Sequence, residues 1–254
     1  MKEILQQTFD KIYCINLDTR PERWDYCKKE FAKYNMVELV ERYPAVSFKK
    51  DKLAIKGITT SHINVIKLAK QNNYKNVLIF EDDVQFITYK YIKETTGPYE
   101  PREHYHRNDD NRGLLRVPSD PSDILNKALV QLKKHEWDIL FLGAQLNLPR
   151  RFINYKRIDN NLFKCNSQTR CHAYAVNNSA YDFILKNDST LDFIIFDRLV
   201  RDFLSYKLTC LNVFPIVCTQ NQSFPSDRRR TKRDTGLICH ERWTDKMLKN
   251  YHED

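Results

Sequence analysis

Residues 77–80, Val-Leu-Ile-Phe, form an unbroken apolar run, and the next three residues are Glu81, Asp82 and Asp83. A strand with one wet face alternates apolar and polar side chains. An unbroken run of this length fits a strand covered on both faces, as in a parallel sheet sandwiched between helices. Runs of the same kind recur at residues 11–17 (KIYCINL), 138–142 (DILFL), 173–176 and 208–213. Helical spacing fills the gaps between them. Thr19-Arg20-Pro21-Glu22 reads as a capping box with proline at an early helical position, followed by Trp24, Cys27, Lys28 and Phe31 at helical intervals. Thr60 or Ser61 caps a second helix from His62 to about Asn72, with Ile63, Ile66 and either Val65 or Ala69 facing inward. Residues 178–186 and 196–206 are further helical candidates. Strands alternating with helices predict an α/β fold on a mostly parallel central sheet flanked by helices.

At 254 residues the chain is expected to form one domain, 1–254. A polar stretch at 94–123, rich in Pro, Gly, Asp, Asn and Arg, is either a lid or a surface insertion. With 5 glycines and neither GxGxxG nor GxxxxGK[ST], the sequence lacks the glycine-rich phosphate loops of the common dinucleotide and P-loop folds. Its net charge of +9 favours anionic partners: nucleotides, nucleic acid, acidic glycans or a membrane surface. The 7 cysteines (14, 27, 165, 171, 210, 218 and 239) are scattered and never form CxxC, so neither a disulfide framework nor a zinc site is expected. The N-terminus has no signal-peptide apolar core, and no apolar stretch reaches roughly 18 residues. The expectation is a soluble, cytoplasmic protein with no transmembrane segment.

Three consecutive carboxylates directly after a buried strand carry the chemistry. In an open parallel sheet, ligands bind outside the carboxyl ends of the strands, where Glu81, Asp82 and Asp83 would lie. Each like-charge pair costs about 1 kcal/mol at ~4 Å even in bulk water, and more when partly dry. A divalent cation turns that repulsion into binding, and oxygen ligands select hard ions such as Mg²⁺ or Mn²⁺. Such a site serves a sugar transferase, a phosphoesterase or a purely structural metal; an acidic loop capping the next segment is the fourth alternative.

Longer motifs narrow the field. KIYCINLDTRPERW, GITTSHINVIKLAKQNNYKNVLIFEDDV, WDILFLG, CHAYAVNNSAYDFIL, FDRLVRDF and FPIVCTQNQSFPSD follow one another in an order that resembles the family 25 glycosyltransferases, which include lipooligosaccharide and procollagen galactosyltransferases. The resemblance spans most of the chain outside 94–123 and the last ~20 residues. It implies a GT-A (Rossmann-like) fold, Mn²⁺ or Mg²⁺ dependence, and inverting transfer of a galactose, glucose or N-acetylhexosamine unit. The donor would be a UDP-sugar and the acceptor a hydroxyl on a glycan or protein. By the same resemblance, Glu81-Asp82-Asp83 stands for the DxD motif, with Asp83 the leading metal ligand and Glu81 or Asp82 reaching the ribose or a metal-bound water. Asn16, Leu17, Asp18, Arg20 and Arg23 would line the nucleotide pocket, where Arg20 and Arg23 suit phosphate as planar donors; a surface pair on the first helix is the alternative for Arg23. Ser61 and His62 would sit at a helix N-terminus that favours phosphate, or else serve as cap and satisfied core histidine. Asp197 matches the family's acidic residue after the HAYAV-type strand and would be the general base, or else a second acidic ligand, an acceptor contact or a helix N-terminal carboxylate. Gln220, Ser223, Ser226 and Asp227 would close the site.

Gly57-Ile58-Thr59-Thr60 departs from the family's usual lead into the Ser-His pair, and the basic run 228–233 is unusual. A metal-dependent phosphoesterase would need further clustered carboxylates or histidines; no DxH pair is present, and the one HxH, His104-Tyr105-His106, falls in the polar stretch at 94–123. A nucleic-acid-binding module expects aromatics interleaved with the basic run, which has none.

Overall fold

The computed structural model describes residues 1–47, 54–93, 114–146, 155–165, 168–186, 196, 200, 207–221 and 223–224. The expected helix at 196–206 is described at Phe196 and Val200, both helical and buried. Of the expected lid, 94–113 lie outside the described residues, as do Asp197, Ser226, Asp227 and the run 228–233.

The long apolar runs become the middle of an eight-stranded sheet. Its strands are β1 (Lys11–Asn16), β2 (Val40–Pro44), β3 (Asn76–Glu81), β7 (Ile139–Leu146), β8 (Tyr155–Asp159), β9 (Leu162–Cys165), β10 (Gln168–Asn177) and β11 (Cys210–Val213). Their order is β2-β1-β3-β10-β7-β11-β9-β8. β2, β1 and β3 are mutually parallel, as are β7 and β11; β10 and β9 run against their neighbours, so six of the eight strands share one direction. The mostly parallel α/β sheet expected from the sequence is present.

Both faces of this sheet are covered, which is why its strands need no polar alternation. Tyr13, Ile15, Val77, Ile79, Ile139, Phe141, Tyr174 and Val176 point to one face. They pack there against α3 (Ala54–Gln71), through Ile63, Val65, Ile66 and Ala69, and against α5 (Asn178–Lys186), through Ala180, Tyr181 and Ile184. The intervening residues Ile12, Cys14, Leu78, Phe80, Leu140, Leu142, Ala173 and Ala175 point to the other face. They meet α1 (Lys2–Thr8), α2 (Pro21–Ala32) and α4 (Pro121–Leu132). Period-two alternation therefore sorts two apolar layers rather than a wet and a dry one. Cys14, Cys27, Cys171, Cys210 and Cys218 are buried free thiols. No helix among the described residues is long and apolar enough to cross a membrane.

Several local expectations are corrected. α2 does carry proline in its first turn, but its N-cap is Arg20 and no side chain caps it, so the Thr19–Glu22 box does not form. The turn instead closes through Arg20 N to the Leu17 carbonyl at 2.9 Å. α3 begins at Ala54 rather than at His62. Ser61 therefore lies inside the helix, donating to the Gly57 carbonyl at 2.7 Å and accepting from Val46 N at 2.8 Å. The stretch at 94–123 is not all loop: it ends in β6 (Leu114–Pro118), paired with β5 (Tyr89–Lys93), and in the first turn of α4. Asp120 caps α4 by accepting from Ser122 N at 2.8 Å, with Pro121 next.

Two short strands crown the sheet edge. β4 (Val84–Phe86) follows the acidic turn and pairs antiparallel with β12 (Cys218–Gln220). β12 is seated on β7 by Val217 N donating to the Leu142 carbonyl at 3.0 Å. Gly143 permits this approach, since a Cβ there would lie 2.0 Å from the Cys218 carbonyl oxygen.

Candidate active site

β1 and β3 are parallel neighbours, so Asn16 and Glu81 end at the same edge. Asp82 and Asp83 form the turn between β3 and β4. The three carboxylates then part company.

Asp82 turns toward β1 and α2. Its Oδ1 accepts from Arg23 Nη1 at 3.0 Å and its Oδ2 from Asn16 Nδ2 at 2.8 Å. Asn16 uses its whole amide: Nδ2 also donates to the Arg20 carbonyl at 3.0 Å, and Oδ1 accepts from Arg42 Nε at 2.7 Å. Arg42 additionally pairs with Asp18 at 2.5 Å. Arg23 is 8% exposed and Asp82 13%, and Phe224 stacks on the guanidinium 5.1 Å from its ring centroid. Arg23 thus forms a buried pair, neither the surface pair nor the open phosphate donor anticipated for it. Burial raises the Asp82 carboxyl above its ordinary range more than Arg23 and Asn16 pull it down. Of the remaining residues of the opening motif, Leu17 supplies the turn carbonyl, Asp18 is exposed, and Arg20 lies 3.8 Å from Glu22.

Glu81 and Asp83 meet instead at Gln220, on β12. Gln220 Nε2 lies 3.1 Å from Asp83 Oδ2 and 3.5 Å from Glu81 Oε2. Asp83 Oδ1 is buried with no hydrogen-bond partner among the described residues. Burial, and then the charges of Glu81 and Asp82, push the Asp83 carboxyl well above its ordinary value. The backbone fixes the turn as well, with Asn221 N donating to the Asp83 carbonyl at 2.6 Å. Ser223 bonds Asn221 Oδ1 through both its amide and its hydroxyl, so it shapes the turn after β12 and does not reach the carboxylates.

Behind Glu81 lies a buried polar chain. His62 Nε2 is 3.2 Å from Glu81 Oε1, and His62 Nδ1 is 2.9 Å from the Tyr174 hydroxyl. Burial holds the Tyr174 hydroxyl protonated, well above its ordinary pKa, so we assign it as donor to Nδ1; Nε2 then carries the hydrogen and donates to the carboxylate. Phe196 stacks on the imidazole with centroids 4.7 Å apart. Ser61 and His62 were expected either to face phosphate at a helix N-terminus or to serve as cap and satisfied core histidine; both are buried inside α3, Ser61 caps no terminus, and His62 is a hydrogen-bonded core histidine that acts on the site through Glu81.

Arg42, Arg170, His172, Tyr174 and Phe224 were not singled out from the sequence. His172 is buried beside Gly143, with Nε2 donating to the Cys218 carbonyl at 3.2 Å and Nδ1 without a partner among the described residues. Burial lowers its pKa from 6.5 to about 4. Only the spacing of CHAYAV, with its polar members inside an apolar run, hinted at His172 and Tyr174.

Among the described residues no three His, Cys, Asp or Glu side chains form a group able to hold a metal ion. Two carboxylates aimed at one point, one of them with an unshared buried oxygen, still fit a hard cation that takes its other ligands from phosphate and water.

No family model and no curated protein matches this sequence. Solved structures of UDP-glucose pyrophosphorylase overlap the chain weakly. The form complexed with UDP-glucose gives a TM-score of 0.41 at 9% identity, over 80% of this chain and 72% of that one. The apo form gives 0.41 at 6% identity with the same coverage. Overlap at this level adds nothing to the fold described above.

Proposed function

We propose that this protein is a metal-dependent, inverting glycosyltransferase. It transfers a galactose, glucose or N-acetylhexosamine unit from a UDP-sugar to a hydroxyl on a glycan or protein. The observation that carries this is the convergence of Glu81 Oε2 and Asp83 Oδ2 on one point at the carboxyl edge of the sheet, with Asp83 Oδ1 left over. The ordered motifs that resemble the family 25 enzymes support the same reading.

Asp83 and Glu81 would hold Mn²⁺ or Mg²⁺. Bound there, the cation would neutralise the charge that develops on the departing diphosphate. Gln220 must yield its amide position for this, while Asp82 stays fixed by Arg23 and Asn16 and shapes the turn from behind. Tyr174 and His62 orient Glu81, so its second oxygen remains directed at the site. Asp197, outside the described residues, is proposed to take the proton from the acceptor hydroxyl.

Calorimetric titration with UDP and a panel of UDP-sugars, with and without MnCl₂, tests the reading. Wild type is expected to bind UDP only with the metal, and Asp83→Asn to keep its fold while losing metal-dependent binding and turnover. Normal turnover by that variant, or UDP affinity indifferent to chelator, refutes it.

A further inference from the structure

β10 runs against its neighbours, so its leading residues, rather than its trailing ones, reach the edge where the acidic turn lies. Ala173 pairs with Phe80, the residue before Glu81. Just ahead of that pair the strand is irregular: β10 advances from Thr169 to Ala173 while β7 moves only between Gln145 and Gly143. Arg170 sits within this irregularity at φ 67°, the left-handed region where a bulge ordinarily places glycine. An arginine held in a glycine conformation beside an acidic cluster points to a use for its side chain.

Its hydrogen bonding suggests which. Arg170 Nη1 donates to Gln220 Oε1 at 3.2 Å. The opposite end of the same amide faces Asp83 and Glu81. Gln220 is therefore oriented by its neighbours, oxygen toward the guanidinium and nitrogen toward the carboxylates. Arg20, Arg23 and Arg42, the other described arginines of this edge, each pair with a carboxylate. Among the described residues Arg170 bonds only a neutral amide, and it is half-buried, so most of its planar donor fork stays unspent there. Gln220 stands between a cation and two anions, and a ligand that displaces it from the carboxylates also releases the arginine.

We propose that Arg170 is a phosphate-contacting residue of this site, held ready by Gln220 for the diphosphate of a bound nucleotide. The proposal rests on the UDP-sugar reading above and adds the residue that meets the anion.

Calorimetry of uridine, UMP and UDP, each with excess MnCl₂, on wild type, Arg170→Gly and Arg170→Lys tests it. Glycine suits the left-handed backbone, so Arg170→Gly is expected to melt no lower than wild type. It should bind UDP roughly tenfold or more weakly, while uridine affinity changes by less than about twofold. Lysine, which keeps the charge without the fork, should recover part of the loss and serves as the second variant if the glycine form does not fold. A folded Arg170→Gly with wild-type UDP affinity overturns the proposal. So does an equal loss for uridine and UDP, or a lowered melting temperature that accounts for the weaker binding. If wild type itself binds UDP no better than uridine, the UDP-sugar reading fails first and Arg170 falls with it.

Discussion

Replacing Gly143 with alanine should unseat β12. The added Cβ would lie 2.0 Å from the Cys218 carbonyl oxygen, 2.6 Å from His172 Nε2 and 2.8 Å from the Cys218 carbonyl carbon. Restoring ordinary contact requires the backbone carbonyl to retreat by about 1.4 Å, because no side-chain rotation can move it. That shift breaks the 3.2 Å bond from His172 and strains the 3.0 Å bond between Val217 N and the Leu142 carbonyl. Leaving a buried partner unsatisfied costs about 1–3 kcal/mol, and overpacking adds about the same. A total of about 2–6 kcal/mol, centred on ~4, lowers the melting temperature by roughly 10 °C in a chain of this size. Urea and thermal denaturation measure this directly. Adding His172→Ala removes the 2.6 Å contact but not the backbone clash, so it should not restore stability. A Gly143→Ala protein within about 0.5 kcal/mol of wild type would refute the seating of β12, and with it the placement of Gln220.

Three further outcomes are expected. The unfolded chain takes up a proton on His172 near 6.5 that the native state refuses until about 4. Stability should therefore fall as pH drops through that window, by up to about 3 kcal/mol. Urea midpoints across pH check this: His172→Gln should flatten the window, and matching profiles would sink the assignment. Arg23→Met leaves buried Asp82 with Asn16 as its one side-chain partner among the described residues and should cost about 3–5 kcal/mol. Adding Asp82→Asn should return part of that, and a double-mutant cycle with no coupling contradicts the pair. Tyr174→Phe leaves His62 Nδ1 without a donor and should cost about 1–3 kcal/mol by chemical denaturation; an unchanged midpoint means the imidazole is anchored elsewhere.

The sheet was legible because its central strands are covered on both faces, so β1, β3 and β7 stand out as unbroken apolar runs. α5 agrees at both ends with the helix read at 178–186. Direction was not legible: residues 173–176 read as a strand, but nothing in an apolar run says that β10 opposes β3. Ser61 misled because a good cap residue also bonds the carbonyl four residues back inside a helix, as it does here to Gly57. α4 shows its spacing at Ile124, Leu125, Ala128, Leu129 and Leu132, but the polar stretch before it obscured its start. The acidic triplet was found from sequence, whereas its division was not. Which carboxylate goes to Arg23 and which to Gln220 depends on partners 59 and 137 residues away. Arg170, Arg42 and Tyr174 were missed for the same reason.

The spread of the site along the chain has a consequence for synthesis. Asp83 is made 137 residues before Gln220, and by then Arg23 is already present to neutralise Asp82 and Asn16 to bond it. Gln220 arrives only later, after the reversed strand that brings Arg170. Until then Glu81 and Asp83 lack the amide that separates and orients them. A nascent chain thus carries the charges of its site long before it has the means to aim them.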